Sequence, residues 1–186
     1  MNMKRKTKRR VGIFLVVAML AVMIYPAFST TAEEESAGFI IENGELTAYT
    51  GSGGDITIPD TVTGISDNVF SDNTSLTSVT IPGSVISIGS GAFSGCTNLY
   101  RAVVPASVVN IGNSVFAGCS SLSDLTFSAN VGVIPDMAFY GCASLSSVTI
   151  PGTVTSIGSS AFENCTLLGS VTIPAAVDTI SDTAFA

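Results

Sequence analysis

Several residue types on which catalysis depends are missing or scarce in this chain. Its 186 residues include no His and no Trp, and only 11% are charged. Six of the seven basic residues lie within the first ten positions, which leaves Arg101 as the one later cation, against fourteen acidic side chains. A Ser or Cys nucleophile needs a base or a cation beside it. We therefore expect no enzyme and no cofactor, and the acidic body argues against nucleic acid as a partner.

The early basic residues belong to a predicted targeting segment. They precede an apolar run over residues 11–28, and Thr30-Thr31-Ala32 then fits the small-residue rule for signal peptidase. We predict a signal peptide over residues 1–32, cleaved after Ala32, and a protein that is secreted or held at the cell surface. The run is also long enough for an uncleaved membrane anchor, which stays open as the alternative and is the one contact with a membrane that we consider.

Internal repetition is the strongest signal in the sequence. Phe recurs with a spacing of 23 residues, and Pro, Leu and Cys recur with the same spacing at other phases. The Phe positions are 70, 93, 116, 139, 162 and 185. A fixed period of this length, held without insertions, is typical of solenoid proteins, in which each unit stacks on the next.

One unit indicates what each part of the repeat forms. Residues 76–82 are rich in β-branched side chains and end at Pro, which predicts a short strand. Residues 84–89 predict a second extended stretch, and the small, Gly-rich residues 90–96 predict a single helical turn with Phe93 facing inward. Stacked units bury identical positions in columns, so we predict a mainly β repeat solenoid with short helical turns over residues 56–186.

The two ends of the repeat array are expected to differ. Asn43-Gly44 lies between two β-type runs and is a strong hairpin signal, so residues 39–49 are predicted to cap the amino-terminal end. Residues 33–55 comprise this cap and a Gly-rich link. The last unit stops at Ala186, before its Cys and Leu positions, so we expect an array that is incomplete at its carboxyl end.

The repeat unit over residues 149–168 resembles the BspA-type leucine-rich repeat. It shows the Ile-Pro, Val-x-x-Ile-Gly, Ala-Phe, Cys and Leu of that family in the same order. The resemblance implies a right-handed leucine-rich-repeat solenoid at a bacterial or protist cell surface, with roles in adhesion and protein binding. The fourth unit departs from the pattern at Phe127-Ser128 and Ile134-Pro135, so we expect that coil to bend or to present a different surface.

The four cysteines share one phase of the repeat, and Asn73 holds that phase one unit earlier. They are Cys96, Cys119, Cys142 and Cys165. In stacked units their side chains should run parallel into the core, which favours buried thiols that bond loop backbone. Neighbouring cysteines would lie within reach of a disulfide, which stays open as an alternative, whereas a ladder of single ligands is a poor metal site.

Two consecutive outward positions break the Ser and Thr pattern of the predicted strand column, and a third breaks it one unit later. These are Tyr100 and Arg101, then Asp124, and Tyr and Arg are frequent in binding hot spots. We take these three residues as the candidate ligand-binding site; the alternative is that Arg101 only pairs with Asp124 across adjacent strands. Residues 67–68 and 72–73 offer oxygen ligands, but their spacing favours solvated turns over a calcium site, so no metal is expected.

These observations predict a non-catalytic protein-binding or adhesion module, with an extracellular protein or a matrix or host surface as its partner. The alternative is a structural spacer, or a fragment of a larger envelope protein that projects another domain. A secreted hydrolase is the third possibility and has the least support, because the sequence shows no catalytic set of residues.

Overall fold

The computed structural model describes residues 37–186, which form a β-solenoid of about six turns. The strands are β1 (Phe39–Glu42), β2 (Glu45–Tyr49), β3 (Gly54–Thr57), β4 (Gly64–Ile65), β5 (Leu76–Thr80), β6 (Ser87–Ile88), β7 (Arg101–Val104), β8 (Asn110–Ile111), β9 (Asp124–Phe127), β10 (Val133–Ile134), β11 (Ser147–Thr149), β12 (Ser156–Ile157), β13 (Ser170–Thr172) and β14 (Thr179–Ile180). Within this range there is no helix, and so none that is long and apolar enough to cross a membrane. The signal peptide predicted for residues 1–32 lies outside the described residues.

Each coil of the solenoid contains one long strand and one short strand. Coils 1 to 6 take their long strands, in order, from β3, β5, β7, β9, β11 and β13, and their short strands from β4, β6, β8, β10, β12 and β14. Pairing between coils is parallel and offset by one repeat, so that Val79 lies beside Ala102 and Ile88 beside Ile111. The 23-residue period of the sequence is therefore the structural unit, and the predicted repeat solenoid is confirmed.

A column of phenylalanine rings runs through the core from coil to coil. The five residues from Phe70 to Phe162 are at most 2% exposed, and neighbouring rings stack with centroids 5.0 to 5.8 Å apart. Each aromatic pair adds about 0.5–1.5 kcal/mol beyond the burial of its area. Columns of Leu, Val and Ile flank the rings, so most core side chains have a neighbour of the same kind in the next coil.

The segment after each short strand forms tight turns, and not the helical turn that we expected. In coil 2 the amide of Phe93 donates to the carbonyl of Val115 in the next coil at 2.9 Å, while Ser94 donates to Gly91 within the turn. Gly91 and Gly95 have φ angles of 62° and 72°, and residues in this left-handed region interrupt a right-handed helix. Phe93 does face inward, but hydrogen bonding between coils replaces hydrogen bonding within a helix.

The hairpin predicted at the amino-terminal end is present and covers coil 1. Strands β1 and β2 pair antiparallel around Asn43-Gly44, and β2 also pairs in parallel with β4, the first short strand. Leu46 is fully buried, and the ring centroid of Tyr49 lies 5.0 Å from that of Phe70. The hairpin thus extends the aromatic column and pairs the edge of the short-strand sheet, as a capping element must.

Coil 4 divides its strand pairing between its two neighbours. Its long strand, β9, pairs with β7 of coil 3, and its short strand, β10, pairs with β12 of coil 5. In the described part of the chain, no pairing joins β9 to β11 or β8 to β10. The turns stay hydrogen-bonded on both sides, since Phe116 donates to Ala138 and Phe139 donates to Ala161. Each sheet is therefore interrupted once, at consecutive coil interfaces.

The interruption beside β8 follows from a single residue. Gly89 and Gly158, which directly follow their short strands, donate their amides to the previous coil at 2.7 and 2.8 Å. Pro135 holds the same place in coil 4 and has no amide hydrogen to donate. A Cβ added at Gly89 would lie 2.5 Å from the amide nitrogen of Asp67 in the coil before, so closely stacked coils leave no room for a proline ring there. Pro135 therefore removes this hydrogen bond and leaves β8 and β10 unpaired, although the next carbonyl, that of Asp136, still accepts the amide of Ser114 at 2.9 Å.

Candidate functional site

The three residues of the predicted binding site lie together on the long-strand sheet. Arg101 and Asp124 are partners in the register of β7 and β9, and Arg101 Nε lies 3.5 Å from Asp124 Oδ2. Tyr100 directly precedes β7; its amide donates to Thr77 at 2.9 Å, and its carbonyl accepts from Ser123 at 3.1 Å. The strand ladder therefore fixes the backbone of all three residues in one cluster.

This cluster is exposed, and its two charges are paired with each other. The side chains of Arg101 and Asp124 are 52% and 59% exposed, and Tyr100 is 46% exposed. An ion pair in this setting contributes about 0.2–1 kcal/mol, because solvent screens it. The pairing of Arg101 with Asp124 is thus present, and it leaves the Tyr100 side chain accessible beside it. A ligand-binding role for the three residues stays a prediction.

The polar turns of coil 1 are engaged in hydrogen bonds within the protein. Asp67 Oδ1 accepts the amide of Ser90 at 2.6 Å, and Asn73 Oδ1 accepts the amides of Ser75 and Leu76 at 3.0 and 3.1 Å. These oxygens fix the turn and the stacking of coil 2 on coil 1. Within residues 37–186, no group of three or more His, Cys, Asp or Glu side chains could hold a metal ion.

The four cysteines form a continuous column of buried free thiols. Each Sγ donates to the carbonyl oxygen of the Phe in the previous coil; Cys96 bonds Phe70 at 3.0 Å and Cys142 bonds Phe116 at 3.2 Å. The predicted bond from this position to loop backbone is therefore present. Asn73, at the same position in coil 1, instead accepts amides from its own turn.

Burial makes these thiols poor nucleophiles. It raises the pKa of Cys96 to about 12 and the pKa of Cys165 to about 11. Burial also raises the pKa of Cys119 and Cys142, and neighbouring thiols of the column add to the effect. The thiolate is the form that attacks substrates and binds metals, and these shifts keep the thiols protonated at neutral pH. The column has a structural role instead, because each thiol bonds a carbonyl of the preceding coil.

A second surface feature, which the sequence analysis missed, lies on the short-strand side of coils 2 to 4. Ile86, Val109 and Val133, which we call the aliphatic patch, are 54%, 48% and 47% exposed. Val109 and Val133 line a groove of about 450 Å³ at the gap between β8 and β10, together with the half-buried Ile111. The sequence holds part of the signal, because the other units have polar residues or Gly at the same repeat positions, but the outward direction of the side chains is visible only in the structure.

A larger cavity, of about 750 Å³, lies against coil 6. Its apolar lining includes Ile173, Ile180 and Phe185, which are 38%, 49% and 41% exposed. These residues continue columns that are buried in the preceding coils, and in the described chain no further coil stacks on coil 6. Their exposure therefore follows from their position in the stack and does not by itself indicate a ligand site. The incomplete array stays a prediction.

Comparison with known proteins agrees with the repeat geometry. Residues 48–168 match the BspA type leucine rich repeat region in six copies. The chain belongs to the BspA-type leucine-rich-repeat family. It is 38% identical to a leucine rich cell surface protein from Faecalibacterium prausnitzii, with a TM-score of 0.71 and coverage of 79% of this chain and 43% of that chain. No curated protein matches the chain.

Two further solved structures of leucine-rich-repeat proteins are similar to this BspA-type chain. The protein from T. pallidum is 28% identical with a TM-score of 0.70, and 81% of each chain is covered. The protein from Eubacterium ventriosum is 26% identical with a TM-score of 0.67, and the match covers 82% of this chain and 50% of that one. The chain spans less than half the length of the Faecalibacterium protein, with 43% of it covered.

Coil 4 is the exception among the BspA-type repeats of this chain. Ser128 replaces the corner Pro, and its amide donates to Val104 at 2.9 Å, a bond that proline could not make. Phe127 replaces Ile, and its ring meets that of Phe139 edge-on with centroids 5.5 Å apart. The different surface that we expected at this unit is present, in the form of the gap beside Pro135.

Proposed function

We propose that this BspA-type protein is exported and acts at the cell surface as a non-catalytic protein-binding module in adhesion. Family membership supports a protein-interaction repeat. The 38% identity to a leucine rich cell surface protein supports the location, as does the signal peptide predicted over residues 1–32. The proposed partner is an extracellular protein of the matrix or of a host surface, bound without a cofactor.

The outward face of the long-strand sheet is the observation that carries this proposal. Most of its positions hold Ser or Thr, such as Ser78 and Thr80 of β5, and the cluster of Tyr100, Arg101 and Asp124 interrupts them. The strand ladder fixes the backbone below these side chains, so little conformational freedom is lost on binding. Tyr and Arg are the side chains that most often dominate binding energy.

The side chains that are present support a role without catalysis. The chain has no His, and its one cation after residue 32, Arg101, pairs with Asp124. The four thiols are buried and hydrogen-bonded to backbone carbonyls, with a raised pKa. Repeat proteins of this kind act mainly by binding partners on the extended surface that their stacked units form.

Binding of the exported chain to immobilised fibronectin, collagen and laminin tests the proposal. By surface plasmon resonance we expect saturable binding to at least one of them. The double variant Tyr100→Ala with Arg101→Ala should lower that affinity at least tenfold, whereas Thr80→Ala on the same face should leave it unchanged. Binding to none of the three proteins would count against the proposed function. An unchanged affinity of the double variant would count only against the assignment of Tyr100 and Arg101 as the binding site.

A structural spacer is the second candidate function, and one observation favours it. The match covers 43% of the Faecalibacterium protein, so these repeats form one part of a longer protein there. Stacked coils give a stiff element whose length grows with the number of repeats. Whole-cell adhesion distinguishes the two roles: a spacer would tolerate loss of Tyr100 and Arg101, but not in-frame removal of one 23-residue unit.

A further inference from the structure

The aliphatic patch departs from the rule that the array otherwise follows on its short-strand side. In the other coils, the position of Ile86 and Val109 holds Thr63, Gly132, Thr155 and Asp178, and the position of Val133 holds Gly64, Ser87, Asn110, Ser156 and Thr179. The amide of Val109 donates to the carbonyl of Ile86 at 3.0 Å, so the patch spans neighbouring coils. Clustered exposed apolar side chains on an otherwise polar surface indicate an interaction site.

Main-chain groups beside this patch lack the partners that they have elsewhere. Gly112 donates its amide to Ile88 in the coil before, at 2.8 Å. One coil further on, the carbonyl of Ile111 receives no amide from Pro135, and the exposed Gly132 donates to no carbonyl of the described chain. Strand edges with free donors and acceptors pair with extended segments of other proteins. The groove therefore offers main-chain hydrogen bonds as well as apolar contact.

The charge around the groove is negative. Asp67 is the charged side chain that lines the groove, whereas the carboxylate of Asp136 accepts the amide of Ser159 in coil 5. Within residues 37–186 the one cation is Arg101, which lies on the other sheet and pairs with Asp124. A partner segment that carries Lys or Arg would be favoured here, and one that carries Asp or Glu would be repelled.

We infer that the aliphatic patch and the adjoining groove form the docking site for an extended segment of a partner protein with alternating aliphatic and basic side chains. The free backbone groups select an extended chain, the aliphatic patch selects apolar side chains, and Asp67 selects positive charge. The inference rests on the proposed function, because it names the partner chemistry of a protein-binding module. The site lies on a different sheet from Tyr100, Arg101 and Asp124.

A peptide of six residues that alternates valine and lysine is the probe. It is titrated into the exported chain, whose Ile and Val methyl groups carry ¹³C, and methyl NMR spectra are followed. We expect binding with a dissociation constant below about 1 mM and the largest shift changes at Ile86, Val109, Ile111 and Val133. Peptides that alternate valine with glutamate, or serine with lysine, should each bind at least tenfold more weakly.

The array itself supplies substitutions that keep the fold. Ile86→Thr, Val109→Thr and Val133→Ser introduce residues that other coils hold at the same positions. The triple variant should bind the valine–lysine peptide at least tenfold more weakly than the parent chain. Leu167→Thr is the matched control, because Leu167 is 63% exposed and lies far along the array from the groove; its affinity should be unchanged.

Three results would overturn the inference. They are no binding of the valine–lysine peptide at about 1 mM, the largest shift changes at Ile173 and Ile180 of coil 6, and an unchanged affinity of the triple variant. Each would leave matrix binding through Tyr100 and Arg101 intact. Conversely, failure to bind matrix proteins would leave peptide binding at the groove intact, so the two proposals can fail separately.

Discussion

Coil 2 and coil 4 follow the same 23-residue period and bury the same columns, yet they stack differently. Coil 2 pairs with both neighbours along both sheets, whereas coil 4 pairs one strand backward and the other forward. In coil 2, Pro82 lies at a corner between the strands, and Gly89 donates its amide to the carbonyl of Ile65 in coil 1. In coil 4, Ser128 occupies the corner and Pro135 occupies the donor position. Proline is therefore compatible with strand pairing at the corner before the short strand, whereas directly after that strand it prevents pairing with the preceding coil.

The side-chain columns of the core continue where a backbone ladder is interrupted. At the interface of coils 3 and 4, the ring centroids of Phe116 and Phe139 are 5.8 Å apart, the widest step in the column, and the rings still stack. Cys142 still bonds the carbonyl of Phe116 at 3.2 Å. The core thus stays continuous where one sheet is interrupted, and it holds the two halves of the array together.

Truncation of a core ring in a regular coil should have the largest effect on the free energy of unfolding. We expect Phe93→Ala to lower the free energy of unfolding by about 3–5 kcal/mol, because a fully buried ring leaves a cavity between two stacked neighbours. Urea denaturation followed by circular dichroism measures this. Phe185→Ala is the control; its ring is 41% exposed, and a loss of more than about 1 kcal/mol there would contradict the account.

Moving the proline of coil 4 into a regular coil tests directly whether proline after a short strand prevents pairing with the preceding coil. Gly89→Pro removes the amide that donates to Ile65 at 2.7 Å and places a ring against the backbone of coil 1. Loss of a buried hydrogen bond together with overpacking should cost about 3 kcal/mol of unfolding free energy. The reverse substitution, Pro135→Gly, should change stability by less than about 1 kcal/mol, since the regained bond offsets the flexibility of glycine. Equal effects of the two substitutions would refute the role assigned to Pro135.

The cysteine column runs through the regular coil interfaces and through the interface of coils 3 and 4, where the short strands are unpaired. Its buried thiols should make the stability of the whole array depend on pH. Unfolded thiols titrate near 9.0, whereas burial raises the pKa of Cys96 to about 12 and that of Cys165 to about 11. Because the folded state retains protons that the unfolded state releases, the stabilisation is complete below pH 9 and is lost as pH rises toward 11–12.

Urea midpoints measured from pH 7 to pH 11 test the titration of this column. The double variant Cys119→Ser with Cys142→Ser replaces two titrating donors by hydroxyl donors that do not titrate in this range. Its midpoint should decline less steeply above pH 9 than that of the parent chain. Parallel pH profiles of the two proteins would show that the thiols do not cause the decline.

The exposed ion pair should have the smallest effect. A double-mutant cycle with Arg101→Ala and Asp124→Ala should give a coupling energy of about 0.2–1 kcal/mol, which falls further in 1 M salt because solvent ions screen the pair. Thermal denaturation at low and high salt measures it. A coupling well above 1 kcal/mol would mean that the pair stabilises the stack of β7 on β9, and that its role is structural.

The regular part of the fold could be predicted from the sequence, because each coil repeats the same solution. The Phe spacing located the core, and Asn43-Gly44 located the hairpin. The helical turn was wrong, since residues 90–96 carry two left-handed positions whose effect depends on hydrogen bonds to the next coil. The pairing of Arg101 with Asp124 followed from the repeat register.

The groove could not be predicted in the same way, because it depends on a hydrogen bond that is missing. The sequence shows that Pro135 departs from the repeat, but only the stacked structure shows that its position is a donor to the previous coil. The outward direction of Ile86 and Val109, which directly precede short strands, and of Val133, which begins one, likewise depends on the stacked structure. A two-residue strand is too short to reveal this by alternation.

Amide hydrogen exchange tests most directly the claim that coil 4 opens the short-strand sheet toward coil 3. The amides of Gly112 and Gly158 donate to the preceding coils at 2.8 Å and should exchange slowly. Gly132, on the open side of β10, should exchange at least a hundredfold faster than either in the native protein. Protection of Gly132 equal to that of Gly112 would contradict the account, because it would show that the sheet is closed across coil 4.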